Sequence, residues 1–451
     1  MATTSLIVSD APRSNGAAAR AWYVLGVLFL LWTVSYLDRQ VLGLLVAPIR
    51  SDLGLSDFDI SLLQGFSFAL CYAIAGLPIG WMVDNYPRRA IIFGGITIWG
   101  LAACASGLAA NFQQLFLARM LVGVGEAALS PAAYSILSDV FPRKRLSLAI
   151  SIAAMGGALG SGLAFTLSGA ILEVTSSGAL QLPFIGGLAP WQQVFILTGL
   201  PGLFIGLLVF TFPEPARKMG DAAEAGARGA AAVVDASGRA FLAYIGRHIR
   251  FYGCHVLGFM MFSIANYAFL AWAAEHMRRS FGWSAMKIGA TFGPAHAGAV
   301  FAAFMLGGLV VDRLFGRGMK DAHMRVFCCF ALISIPLAAW TMLTRDPWLF
   351  LIVSTVWGLF TISFGGGAAA ALQITTPPQF RGRISALYLM IIVLSGMTVG
   401  PSSVAALTDF VLRDESRLDM ALLIVTMIAY PIAAAALAAG CKPMREILDR
   451  G

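Results

Sequence analysis

Polar and apolar positions along this chain fall into long separate blocks, with neither the strict alternation of strands nor the one-sided stripe of a soluble helix. Twelve apolar runs stand out, each of roughly 20 residues or more and so long enough to cross about 30 Å of hydrocarbon as a helix. They cover residues 21–47, 58–83, 90–110, 113–139, 146–173, 190–212, 251–275, 286–311, 324–344, 347–373, 383–409 and 418–440. Short polar connections separate them, except for one long polar stretch from 213 to 250. The pattern predicts an all-α integral membrane protein with twelve transmembrane helices.

Two of the runs carry charge in their interiors. The fourth holds Arg119 and Glu126, and the first holds the adjacent pair Asp38 and Arg39. An ionisable group at membrane depth costs about 2.5–3.5 kcal/mol on insertion scales, so it is expected to face protein or a watery cavity and to mark function. Arg119 and Glu126 are separated by nearly two full helical turns and point the same way. Gly123 between them and Gly125 beside them leave room for a neighbouring helix or a ligand. Two readings stay open for this pair. It can be a structural ion pair with another helix, or Glu126 can alternate between charged and protonated forms as an arginine moves, which would couple a proton to movement. Asp38 and Arg39 diverge by about 100° around their helix, so one can line a cavity while the other pairs sideways. Asp38 with Arg119 is a candidate cross-helix pair, and Asp38 is the competing proton site.

Charge distribution orients the chain. If both termini are cytoplasmic, most of the 31 lysines and arginines fall on the cytoplasmic side. The other side keeps only Arg50, Arg278, Arg279, Lys287, Arg345, Arg413 and Arg417. This accounts for the net charge of +8 without a nucleic-acid partner. Hydrophobic residues at 59% and charged residues at 12% exclude a soluble globular protein. The six cysteines lack metal-ligand spacing and read as small packing residues. The polar N-terminus has no apolar core of a signal peptide, so the first span is expected to act as the targeting signal, to the inner membrane in a bacterium.

The chain also repeats. Gly80…Asp84 followed by Arg88 and Arg89 closes the second run, and Gly308…Asp312 followed by Arg313 and Arg317 closes the eighth, about half the chain later. Basic turns recur after the fourth and tenth runs. Two six-helix lobes in the same orientation follow, residues 1–212 and 251–451, joined by a cytoplasmic linker at 213–250. The linker begins Ala/Gly-rich and ends, from Arg239 to Arg250, with apolar residues at helical spacing among basic ones. It is expected to lie as an amphipathic helix on the lipid surface, or to be a plain connector.

Twelve spans, two parallel halves, a long central linker and the G-x-x-x-D-basic motif resemble the major facilitator superfamily of secondary transporters. Asp38-Arg39, the string Arg119, Gly123, Gly125, Glu126, and Asp139-Val-Phe-Pro are similar to the Spinster-like branch, whose members move sphingolipids and lysophospholipids, some coupled to protons. The fourth-span string is similar to that of sugar-phosphate and anion transporters as well. Asn85 and Pro87 depart from the superfamily's first loop motif, and the glycine-rich fifth span (Gly156, Gly157, Gly160, Gly162) lacks the Gly-Pro of antiporters. The resemblance implies that Gly80, Asp84, Arg88, Gly308, Asp312 and Arg313 latch the lobes together on the cytoplasmic side; the residues themselves equally allow a static loop clamp.

The remaining candidates follow from this frame. Arg119, Arg39 and Glu126 are expected to contact a charged headgroup. The second lobe offers neutral or weakly basic groups, Asn266, Tyr267, His296, Thr361 and Ser363, which serve as cavity contacts or as packing. A charged half facing an apolar half suits an amphiphile. Gly365-Gly366-Gly367 should weaken the tenth helix as a gating bend or a close-packing site. There is no phosphate loop, no metal spacing among the five histidines and no Ser/His/Asp set, so an enzyme is not expected, nor a cofactor. The expected function is alternating-access transport of a lipid-like amphiphile by a monomer surrounded by membrane lipids, driven by protons. The alternatives are a carrier of small organic anions or drugs and a membrane sensor or scaffold that does not transport.

Overall fold

In the computed structural model the twelve runs are helical, and the described residues are 15–178, 187–216, 238–377 and 380–450. Twelve helices are long and apolar enough to cross a membrane: Ala19–Leu44, Asp57–Gly76, Arg88–Ser106, Phe112–Val140, Leu148–Ser176, Pro190–Thr211, Ile249–Phe281, Ala285–Gly316, Ala322–Leu343, Pro347–Thr375, Arg383–Leu412 and Glu415–Asp449. They are called the first to twelfth spans below. Helix starts are set by local capping. Asn111, Ser284 and Asp346 accept from the backbone N–H three residues on, and Gly54 and Gly282 end helices in the left-handed region at φ 64°.

An even number of spans puts the start of the first and the end of the twelfth on one face of the bundle, here called the terminal face. Within the first lobe the first span packs on the fifth, and the third on the fourth and sixth; within the second the seventh packs on the eleventh and twelfth, and the ninth on the twelfth. The two lobes meet most extensively where the fifth span lies along the eighth. A β-carbon on Gly162 would strike Ala297 and Gly293, and one on Gly169 would strike Ala285, so small residues set this approach. Thr166 Oγ1 donates to the Gly289 carbonyl at 2.9 Å across it. Gly156 and Gly160 are occupied differently, by the backbone of the first span at Phe29 and Thr33.

The fourth span is two helices, Phe112–Glu126 and Leu129–Val140, interrupted right after Glu126. The tenth breaks similarly into Pro347–Thr361 and Phe364–Thr375. The bend expected at Gly365–Gly367 therefore lies just before those glycines, and Gly367 is used to admit the Phe327 ring. The second span contains a π turn, Leu62–Phe66, and the eleventh ends in another, Leu407–Leu412.

The lobes are fastened at the face opposite the termini. Asp57, fully buried, takes Nη1 and Nη2 of Arg279 at 2.8 and 2.7 Å and Nη1 of Arg50 at 3.2 Å. Glu275 also engages Arg279, at 2.6 Å. The Phe58 N–H donates to Asp409 at 2.8 Å, Gln64 Nε2 donates to the Ala271 carbonyl at 3.1 Å, and Gly65 lies against the Met397 carbonyl with no room for a side chain.

The helix expected at the end of the linker is present as Gly238–Arg247, with part of its apolar face against the protein and Leu242 exposed. Phe241 and Tyr244 pack on Phe380 at 5.7 Å, and the Tyr244 hydroxyl donates to the Thr375 carbonyl at 2.8 Å. The Ala/Gly-rich part of the linker, 217–237, lies outside the described residues.

Candidate functional site

A cavity of about 260 Å³ lies between the lobes. The first lobe contributes Trp32, Tyr36 and Gln40 from the first span, Ser130 and Tyr134 from the fourth, and Ser161 from the fifth. Trp32, Tyr36 and Gln40 recur every four residues, so one helix face delivers all three. The second lobe contributes Asn266, Tyr267, Leu270, His296, Val300, Phe304, Ile362 and Phe364. A smaller recess of about 30 Å³ shares Gln40, Tyr267 and Leu270 with it and is lined by Arg39.

Arg39 is the cation at this corner. Its side chain is 11% exposed, and it bonds Oε2 of Glu126 through both Nε, at 3.1 Å, and Nη2. Ser35 Oγ donates to the same oxygen at 2.9 Å. The guanidinium sits 4.5 Å from the Phe68 ring centre and 4.8 Å from that of Tyr36, with Tyr72 at 5.7 Å. Oε1 of Glu126 has no partner. Glu126 is thus held at the last residue of its helix by a neighbouring span, and the cation holding it lines the small recess beside the cavity.

The expected Asp38–Arg119 pair is not made. Both side chains are fully buried, yet neither carboxylate oxygen of Asp38 and none of the three guanidinium nitrogens of Arg119 has a hydrogen-bond partner. The indole Nε1 of Trp99 is orphaned as well. Arg119 and Glu126 do not pair either; the acid is bonded by Arg39 of the first span. Arg119 is fully buried and is not among the residues lining the cavity. The space by Gly123 and Gly125 is filled by neighbouring helices, the second span at Phe68 and the third at Gly95 and Trp99.

In the second lobe Asn266, Tyr267 and His296 do line the cavity. Thr361 is 4% exposed and reaches only a separate void of about 20 Å³ shared with Asn266 and His296. Ser363 donates to the Phe360 carbonyl at 3.0 Å and is a packing residue.

The motif residues behave as clamps more than latches. Arg88 is 1% exposed and binds Asp139, Ser135 at 3.1 Å, Glu214 at 2.9 Å and the Pro215 carbonyl, all within the first lobe. Burial alone would raise the Glu214 carboxyl, but the Arg88 guanidinium and the backbone N–H groups of Arg88 and Arg89 outweigh it and hold the carboxyl below its usual range. A lowered carboxyl stabilises at neutral pH, and that contribution fades as pH falls through the lowered value. Gly80 and Gly308 make no close helix contact, and Asp312 and Arg313 are exposed, so the expected interlobe latch is not assembled there; the two lobes are fastened at the other face. The side chain of Asp84 lies outside the described residues. Arg88→Ala removes the cation that Asp139 and Glu214 share, and is expected to lower stability by about 1–3 kcal/mol, since Glu214 keeps Arg89. Thermal unfolding in detergent measures this, and an unchanged midpoint would show the clamp to be dispensable.

Reasoning from sequence missed the aromatic lining, Trp32, Tyr36 and Tyr134, although the four-residue spacing of Trp32 and Tyr36 upstream of Arg39 was a visible signal. It also missed the Asp57–Arg279 network. Among the described residues no group of three or more His, Cys, Asp or Glu side chains converges as a metal site.

Two membrane-embedded lobes around a central cavity define a transporter-like architecture. Residues 28–401 match the Major Facilitator Superfamily, and the chain belongs to that family. It is therefore a multi-pass membrane transporter. It is similar to an "MFS-type efflux pump" of Mycolicibacterium smegmatis, 25% identical over 88% of this chain and 86% of that protein. It is also similar to the "Probable galactarate/D-glucarate transporter GudP" of Bacillus subtilis, 24% identical over 81% of each. Its fold matches a solved bacterial homologue of the human lysosomal transporter Spinster in an inward-facing, unoccupied conformation, with a TM-score of 0.78, 24% identity, and 97% and 99% of the two chains covered.

Proposed function

We propose that the protein is a proton-coupled, alternating-access carrier of a lipid-like amphiphile, with the terminal face cytoplasmic. The observation that carries this reading is the division of the cavity wall. The first lobe presents Tyr36, Tyr134 and Gln40, with the cation Arg39 in the adjoining small recess, whereas much of the second lobe's wall is Leu270, Val300, Phe304, Ile362 and Phe364. A charged headgroup fits the first wall and a tail the second. The fastened opposite face and the exposed Asp312 suit a state open toward the cytoplasm.

Coupling follows from Arg39 serving two anions. A negatively charged headgroup that draws Arg39 away leaves Glu126 buried without its cation. A buried carboxylate in that position is costly to keep charged, and taking up a proton relieves the cost. Anion and proton then occupy the site together, and release of either returns Arg39 to Glu126. Asp38, buried and unpartnered, is a second place for the proton.

The sharing of Arg39 also suits a small organic anion, and the likeness to a sugar-acid transporter supports that second reading. Arg39→Ala is expected to weaken binding of an anionic lysolipid far more than of a neutral analogue with the same tail, by roughly tenfold or more for a lost charge-assisted contact. Isothermal titration in detergent measures it. Equal losses would make Arg39 a structural partner, and affinity independent of tail length would favour the small anion.

A further inference from the structure

The bridging helix Gly238–Arg247 ends in a groove on the terminal face that the transport mechanism does not use. Two adjoining hollows, of about 250 and 720 Å³, share Arg247, His248 and Ile447. Around them stand Arg250 at the start of the seventh span, Lys442 in the last turns of the twelfth, and Arg381 at the start of the eleventh. Arg247, Arg250 and Lys442 are exposed and make no ion pair among the described residues. Arg381 spends only its Nε, on the Thr376 carbonyl at 3.0 Å. One carboxylate, Glu446, also lines the groove, so four cations face a single acid. The neighbouring basic residues differ: Lys320 pairs with Asp449, and Arg325 and Arg445 pair with Asp321.

We propose that this groove binds the phosphate of an anionic phospholipid. Three features select a lipid over a soluble anion. Arg250, Lys442 and Arg381 stand at the ends of three membrane spans. The groove is walled by Tyr244, Ile374, Ile447 and Leu448, apolar surface that a glycerol ester and upper acyl chain cover and inorganic phosphate does not. Anionic lipid surfaces attract basic side chains at the ends of spans. The bound lipid would tie the bridging helix to the second lobe, adding to the Tyr244–Thr375 bond. It is a site separate from the interlobe cavity, and its failure leaves the transport reading untouched.

The test is native mass spectrometry of the purified full-length protein, titrated with phosphatidylglycerol or with phosphatidylcholine of the same chains. Phosphatidylglycerol is expected to bind more tightly. The variant carrying Arg247→Ala, Arg250→Ala and Lys442→Ala should lose about fivefold per cation, about a hundredfold in all. Arg313→Ala with Arg317→Ala removes charge from the same face outside the groove and should leave binding unchanged. Arg39→Ala should also leave it unchanged, which separates this site from the cavity. If the triple variant does not fold, Lys442→Glu alone must still weaken phosphatidylglycerol. Equal retention by wild type and groove variants overturns the proposal. So does displacement of the lipid by an equal concentration of inorganic phosphate, which would make this a soluble-anion site.

Discussion

Asp57→Ala is expected to open the face opposite the termini. Asp57 is fully enclosed and receives two bonds from Arg279, a residue 222 positions away in the other lobe. Glu275 stays on Arg279 when Asp57 is removed, so the loss is that of the charge-assisted bonds to Asp57, about 1.5–3 kcal/mol. The cost falls on the fastened state alone, since the two lobes do not share these bonds once they part there. At about 1.4 kcal/mol per tenfold, the population should move by roughly one to two orders of magnitude toward the parted state. The exposed pair Arg50–Glu415, at 2.5 Å, contributes little beside it, because the acid is 53% exposed. Spin labels at Ser51 and Arg417, both exposed on that face, report the change as a longer distance in pulsed dipolar spectra. Gly65→Ala is an independent route to the same outcome, since a β-carbon there collides with the Met397 carbonyl. Unchanged distances in both variants would show that the network decorates an interface held by other contacts.

That fastening was not legible in the chain. Asp57 and Arg279 sit near the ends of apolar runs, where charges ordinarily meet water, and nothing local links residues so far apart. The twelve spans, the two lobes and the four buried charges were legible, because hydrocarbon thickness and the cost of charge at depth act on each helix alone. Pairing among those charges was not. Asp38 and Arg39 point about 100° apart, and which of them meets the fourth span depends on how the first is rotated in the bundle. The interruption after Glu126 was hidden for a related reason: Ala127 and Ala128 are good helix formers, so tertiary packing, not propensity, ends the helix there. The motif aspartates misled in the opposite direction. Their repetition marks equivalent places in the two lobes, but a latch exists only in the state that brings those places together, and here Asp312 is exposed.

Glu126→Gln is expected to abolish the response of transport to a proton gradient while preserving the fold and some substrate binding. Gln keeps the shape of the protonated acid and a carbonyl oxygen for Ser35 Oγ, which now donates to Oε2 at 2.9 Å. It cannot hold Arg39 as an ion pair. Arg39 then stays available to a headgroup at every pH, so an anionic substrate should bind as well as in the wild type or better. Loading no longer requires a proton, and uptake into proteoliposomes should equilibrate the substrate without concentrating it. Asp38→Asn is the control, because Asp38 is as deeply buried and has no hydrogen-bond partner to give up. Moving a proton affinity by one unit takes only about 1.4 kcal/mol, so either acid is within reach of a small change in its surroundings. If Glu126→Gln still concentrates substrate against a pH gradient and Asp38→Asn does not, the proton belongs to Asp38, and Arg39–Glu126 is a hinge pin between the first and fourth spans. If both variants behave as the wild type, neither acid carries the proton, and coupling through Arg39 is wrong.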